Sequence, residues 1–295
     1  MRLKAILILT LAFIAIFSSC KKDNENNYEN LDDFFDDFKV ESQYYSFSPD
    51  EDYSFTSNSG THYTFFGSTF EREDGEPITG DIDIELREFY TVQQMMFEGV
   101  LTVSHTRQIL ESAGFFYIRT TNNDSKATGK IGISIPTNTI NNEMQTFSLF
   151  TDSVPQAWLL SGDSIGYPDP DALDSLYYYI EFINDYEWIN CDDFIEGPQS
   201  DFTVNIYKNP TLYYTNVYFI FDEINSITEF SHYSQDVFKH YMLPVGYTGK
   251  LFAIAYYDGQ GHYYLEEMTI PEEIEMEITL EAVDDDELID VLNSL

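Results

Sequence analysis

Between Ile78 and Arg87 the chain alternates, with Ile82, Ile84 and Leu86 interleaved among Asp81, Asp83, Glu85 and Arg87. A period of two marks a strand with one buried and one wet face, whereas an amphipathic helix repeats its apolar positions every three to four residues. The texture recurs at Tyr63 and Phe65, and again where Ile274, Met276, Ile278 and Leu280 alternate with acids. The turn residues Glu73-Asp74-Gly75-Glu76-Pro77 between the first two runs predict a β-hairpin spanning 61–90. Short runs rich in β-branched and aromatic residues extend the pattern at 100–104, 115–121, 130–135, 144–150 and 157–160. Strands separated by frequent turns predict an antiparallel sandwich.

Gly162, Gly166, Pro168 and Pro170 interrupt any regular element across 161–174, and we place a domain boundary there. Beyond it, 176–183, 201–207 and 212–221 read as strands. The segment 250–257, the turn Asp258-Gly259-Gln260-Gly261 and 262–270 give the clearest hairpin. The segment 226–240 reads as helix or loop, 93–98 as a helical turn or bulge, and Leu288, Val291, Leu292 and Leu295 fall at helical spacing. The expected fold is mainly β, with two antiparallel β-sandwich-like domains after a signal peptide and an acidic tether, and a short C-terminal helix. The expected divisions are a signal at 1–19, a tether at 20–58, sandwiches at 59–162 and 177–282 with a linker at 163–176 between them, and an acidic helix at 283–295. Inside the tether, Leu31, Phe34, Phe35 and Phe38 share one face of a short helix among four aspartates. So short a helix is not stable alone in water, so that face is expected to dock on the chain's own body.

Arg2 and Lys4 precede an apolar run, 5–17, that as a helix covers only about 20 Å, short of the roughly 30 Å hydrocarbon core. This is the pattern of a secretory signal. It ends in Phe17-Ser18-Ser19-Cys20, which resembles a bacterial lipobox, with Phe17 in place of the usual Leu or Val. The resemblance implies acylation of Cys20 and a membrane anchor. The following Lys21-Lys22-Asp23-Asn24-Glu25 resembles the charged export tag of Bacteroidota surface lipoproteins, which implies an outer-membrane location with display on the cell surface.

Fourteen Lys and Arg stand against 52 Asp and Glu, a formal net charge of −38, which excludes phosphate-neutralising nucleic-acid binding and makes divalent cations and basic surfaces candidate partners. Acylation of Cys20 would leave Cys191 as the one remaining thiol, without an intramolecular disulfide partner. Nothing in its sequence context pairs it with a histidine for catalysis, so it reads as a buried apolar cysteine.

Further motifs are similar to a group of uncharacterised Bacteroidota outer-membrane and surface lipoproteins. They are Thr79-Gly80-Asp81-Ile82-Asp83-Ile84-Glu85-Leu86, Leu110-Glu111-Ser112-Ala113-Gly114-Phe115-Phe116-Tyr117-Ile118, Ile133-Ser134-Ile135-Pro136, Trp188-Ile189-Asn190-Cys191-Asp192 and Leu243-Pro244. Asp193 and Glu187 depart from the Arg and Gly usual in that pattern. The resemblance implies a β-rich secreted module and no particular activity.

No nucleophile elbow, zincin helix, phosphate loop or paired Cys ligands occur, so no catalytic or metal residue is nominated and no cofactor is implied. His62, His105, His232, His240 and His262 are scattered and read as packing residues. His232 and His240, if helical, would sit about 12 Å apart, too far to share a metal. Asp81, Asp83 and Glu85 read as an exposed charged edge or a cation- or sugar-binding face. The acids of 169–174 only loosely match a calcium loop. Adjacent tyrosines at 44–45, 177–179, 213–214, 256–257 and 263–264 would turn one ring inward and one outward in each strand. The expected function is a non-enzymatic envelope protein, anchored through Cys20, that binds or scaffolds a protein or glycan. The alternatives are a glycan hydrolase using a carboxylate pair and a glycan-binding module.

Overall fold

The computed structural model describes residues 28–295, apart from 68–69, 73, 75, 77, 79, 122–124, 128–129, 151–155, 167–175, 184–186, 208–214 and 235. The chain is mainly β and sandwich-like. In the first unit a six-stranded sheet runs in the order β1 (Gln43–Phe47), β5 (Ile82–Phe89), β6 (Leu110–Thr120), β13 (Trp188–Phe194), β9 (Gln145–Phe150) and β10 (Ala157–Leu160). It faces a five-stranded sheet of β11 (Ser164–Gly166), β12 (Leu176–Ile183), β8 (Lys130–Thr137), β3 (His62–Phe65) and β2 (Tyr53–Thr56). A two-stranded ribbon, β4 (Phe70–Arg72) with β7 (Ser125–Ala127), lies beside them. Ile82, Ile84, Leu86, Tyr63, Phe65, Ile131, Ile133 and Ile180 fill the space between the two sheets.

The second unit pairs a four-stranded sheet with a five-stranded one. The first has the order β17 (Ser231–Ser234), β18 (Val237–Pro244), β14 (Gln199–Ile206) and β21 (Glu273–Ile278). The second has the order β16 (Ile227–Glu229), β15 (Thr215–Phe221), β19 (Thr248–Tyr257), β20 (Gln260–Thr269) and β22 (Glu281–Val283). Phe202, Val204, Phe219, Phe221, Phe238 and Leu251 form the core between them. Among the described residues every strand pair is antiparallel except β14 with β21, which is parallel.

A third core joins the units. Phe89, Leu110, Phe115 and Tyr117 from the outer face of the six-stranded sheet meet Tyr218, Ile220, Phe252, Ile254 and Tyr256 from the outer face of the five-stranded sheet of the second unit. Three short helices sit in this seam: α1 (Leu31–Asp36), α2 (Val92–Glu98) and α3 (Asp285–Asn293). The arrangement explains the strands whose residues are buried in succession, Phe115–Ile118 in β6 and Leu251–Tyr256 in β19, because both faces are covered. The helix face expected to dock does so: Phe34 is fully buried and stacks on Tyr256 at 5.3 Å between centroids. Asn30 caps α1 and Thr91 caps α2 in a reciprocal capping box with Gln94. Thr102 ties the units together, its Oγ1 donating to the Ile227 carbonyl (2.9 Å) and accepting from the Ile227 N–H (2.9 Å).

Several expectations are corrected. The runs at 61–65 and 78–87 do not form a hairpin, since β3 pairs with β2 and β8 in one sheet while β5 pairs with β1 and β6 in the facing sheet. The linker at 163–176 is not a boundary, because β11 pairs with β12 and both belong to the first unit. Strands β12 and β13 likewise complete the first unit, and the second begins with β14. The tether reading fails for 43–56, where β1 and β2 join the sheets. The segment 226–240 is three strands, β16, β17 and the start of β18. The stretch 100–104 makes only isolated bridges, Val103 to Ile109 and Ser104 to Trp158. The 250–270 hairpin, the helix at 93–98 and the C-terminal helix stand as expected.

Candidate functional site

The outer face of the β17-β18-β14-β21 sheet gathers exposed tyrosines. Strand alternation sends Phe202, Val204, Ile206 and Phe238 into the core, leaving Asp201, Lys239 and Tyr241 towards solvent. Tyr207, Tyr233 and Tyr241 are 50%, 65% and 44% exposed, and the Lys239 ammonium sits 4.2 Å from the centre of the Tyr233 ring. On the same face, at the edge opposite Tyr233, β21 presents Glu273, Glu275 and Glu277 in one exposed row, and Asn205 Nδ2 donates to Glu275 Oε1 (2.9 Å). Ring faces next to a row of hydrogen-bond acceptors suit a sugar or a polar protein surface. The charges on this edge strand also oppose unwanted strand pairing. Behind the face, His240 is buried, its Nδ1 accepting from the Met242 N–H (3.2 Å) and its Nε2 lying 2.9 Å from Thr228 Oγ1. Burial first, and then Arg107, lower its pKa from 6.5 to about 4, so the ring is neutral.

Two carboxylate arrangements lie in the first unit. Glu88 is buried and accepts from Ser57 Oγ (2.8 Å), Tyr63 OH (2.9 Å) and Gln43 Nε2 (2.9 Å). Three neutral donors satisfy it there, a structural role. Glu111 and Asp193 stand opposite one another on β6 and β13, with Asn141 Nδ2 donating to Asp193 Oδ2 (3.0 Å). Burial first, and then Asp193, raise the pKa of Glu111. Next along β13, Asp192 is fully buried, accepts from Asn190 Nδ2, and keeps Oδ1 without a partner. Burial pushes its carboxyl well above the usual range.

The third feature is a recess of about 160 Å³ under α1, walled by α2, β15 and β16. Asp32, Asp36, Glu98, Glu229, Asn216 and Lys39 supply its polar lining, and Phe35, Met96, Phe97 and Leu101 its apolar wall. Lys39 Nζ is held by Asp36 Oδ1 at 2.6 Å, and Arg87 Nη1 by Glu98 Oε1 at 2.7 Å. The Arg87 guanidinium also lies over Tyr117, 4.5 Å from its centroid. Burial first, and then the Asp32 charge, raise the Glu229 pKa from 4.5 to about 7. A shallower groove of about 340 Å³ lies between 90–93 and 221–225.

Cys20 and the acids of 169–174 lie outside the described residues, as do the tyrosines at 213–214. Cys191 is buried as expected, and burial raises its thiol pKa. Asp81, Asp83 and Glu85 do not line a sheet edge, because β5 lies between β1 and β6. Glu85 is buried and paired with Arg119 (2.7 Å). Burial pushes its pKa up, and Ser42 and Arg119 outweigh that and hold it below the usual value. His232 and His240 lie on paired strands instead of a helix, and His262 stacks on Tyr257 at 4.2 Å. The inward–outward division of neighbouring tyrosines holds at 256–257, where Tyr256 is buried and Tyr257 half-buried, and fails at 263–264, where both are half-buried. No group of three or more His, Cys, Asp or Glu side chains is placed to hold a metal among the described residues. The adjacent-tyrosine pattern pointed away from Tyr207, Tyr233 and Tyr241, which are isolated in sequence. Only the sheet register puts them on one face, with Tyr241 level with Asp201 and Tyr207 at the far end of β14. The chain matches no known protein-family model and no curated protein.

Proposed function

We propose that this is a non-enzymatic, lipid-anchored envelope protein, held at the outer membrane by acylated Cys20, that binds a partner through the outer face of the β17-β18-β14-β21 sheet. The placement of Tyr207, Tyr233 and Tyr241 on the same sheet face as the Glu273, Glu275 and Glu277 row carries the reading. Tyrosine rings supply stacking area at low entropic cost and the carboxylates accept from hydroxyls, which favours a glycan or a glycan-bearing protein as the partner. The lipobox-like Phe17-Ser18-Ser19-Cys20 supports the anchor, and the Lys21–Glu25 tag supports surface display. Simultaneous Tyr207→Ala, Tyr233→Ala and Tyr241→Ala replacement should abolish retardation by polysaccharide in affinity electrophoresis while leaving the circular-dichroism spectrum intact. Retardation equal to that of the parent would refute the face. Cys20→Ala should release the protein from the membrane fraction, and unchanged fractionation would refute the anchor.

The opposed Glu111 and Asp193 favour a second reading, a glycan hydrolase, because a carboxyl with a raised pKa beside a second carboxylate is the pairing such chemistry uses. Polysaccharide cleavage lost on Glu111→Gln would favour it over the binding reading.

A further inference from the structure

We propose that the recess beneath α1 binds an organic ammonium group carried on a short alkyl chain. The inference is independent of the sheet face and the lipid anchor. Its first support is an imbalance of charge. Lys39, which lines the recess, is held by Asp36, Arg87 behind it is held by Glu98, and no cation lies within ion-pair distance of Glu229 or Asp32 among the described residues.

The second support is unsatisfied bonding capacity. The Glu98 side chain is only 10% exposed, and its Oε2 has no hydrogen-bond partner, although Oε1 is paired with Arg87. That oxygen is closed off from the recess, whereas Glu229 lines it half-buried and its carboxylate takes part in no hydrogen bond among the described residues, so a ligand with several N–H donors would satisfy that carboxylate. Asn216, whose Nδ2 donates to Tyr218 OH at 2.7 Å, adds an amide to the same lining.

The third support is shape. Phe35, Met96, Phe97 and Leu101 give the recess a hydrocarbon wall that a bare inorganic ion would not use but methylene groups would cover. About 160 Å³ admits an amine of a few heavy atoms. Among the described residues no three of the carboxylates are placed to hold a metal.

Charge on Glu229 should govern affinity. The groups facing it are Asp32 and Asp36 from α1 and Lys39 just after it, Glu98 from α2 with Arg87 behind it, and Tyr218 beside it on β15. The ammonium favours ionised Glu229, and an alkylammonium stays charged throughout the range used, so binding strengthens as pH rises through the Glu229 pKa of about 7. If only the ionised form binds, the apparent affinity rises about 30-fold between pH 5.5 and 8.5.

The test is calorimetric titration of the full chain with n-butylamine and with 1,4-diaminobutane at both pH values, with calcium chloride as comparator. Saturable amine binding that tightens about 30-fold with pH, disappears in Glu229→Gln and weakens in Asp32→Asn would support the site. Asp32 is an exposed residue of the first turn of α1, so its replacement leaves the fold intact and separates loss of charge from loss of structure. Absence of amine binding, binding indifferent to pH and to both substitutions, or binding of calcium alone would overturn it.

Discussion

Glu229→Gln should change how stability depends on pH, and the effect can be worked out from two groups with opposite shifts, Glu229 half-buried and His240 buried. Glu229 has its pKa raised from 4.5 to about 7, so between those values the folded protein holds a proton that the unfolded chain has released. Stability from this group therefore falls as pH rises, at about 1.4 kcal/mol per unit, and about 3 kcal/mol has gone above pH 7. His240 has its pKa lowered from 6.5 to about 4, so between those values the unfolded chain binds a proton that the folded protein refuses. Its contribution is complete above pH 6.5 and falls as pH drops, again by about 3 kcal/mol in all. Across pH 4.5–6.5 the two slopes are equal and opposite and cancel. Glutamine at 229 removes one of them. The stability of the variant relative to the parent should then climb by about 3 kcal/mol from pH 4.5 to 7.5 and stay level beyond. Urea unfolding at unit pH intervals, followed by near-ultraviolet circular dichroism and compared at equal m-values, measures this difference directly. Parallel profiles for variant and parent would refute the argument, because they would mean that Glu229 titrates alike folded and unfolded. His240→Gln should show the mirror image, its stability relative to the parent climbing by about 3 kcal/mol as pH falls from 6.5 to 4 and staying level below.

Gly114→Ala should destabilise by about 3 kcal/mol, since Gly114 has φ +131° and an added Cβ would lie 2.7 Å from the Tyr90 ring, whose hydroxyl is bonded to Thr61. A urea midpoint equal to that of the parent would contradict the geometry. Phe34→Ala should cost about 3–5 kcal/mol through the cavity left against Tyr256, and amide exchange should accelerate first in 28–38. Unaltered protection in that segment would show that α1 is not held by this contact.

The β19-β20 hairpin was legible because its connection is chemically particular. Asp258 and Gly259 both adopt positive φ, 53° and 71°, which is the geometry that an Asp-Gly pair favours between strands. The hairpin expected across 61–90 failed for the complementary reason. Alternation at Ile82, Ile84 and Leu86 reveals that one face is buried but carries no information about which strand lies alongside. The boundary at 161–174 misled because glycine and proline mark a turn within a unit as readily as a break between units. The strands of 226–240 were hidden by brevity. Strand β16 has three residues, and β17 is an edge strand exposed throughout, so neither shows a period. The seam between the units left a trace in the unbroken apolar runs of β6 and β19, which alternation alone does not interpret. The recess left none. Asp32, Glu98 and Glu229 are three among 52 acids, far apart in the chain, and only folding makes them neighbours.

Because α1 is clamped inside the seam, a pull on the N-terminal segment does not load either sheet pair at its outer strands. It first draws on Tyr28 and Phe34, both packed against Tyr256. Extraction of these rings uncovers the joint between the two bodies while the Thr102–Ile227 hydrogen bonds and the ladders on either side are still whole. The molecule thus has a mechanical fuse at the start of its described chain, and tension applied there should be spent on ring extraction before any strand unzips.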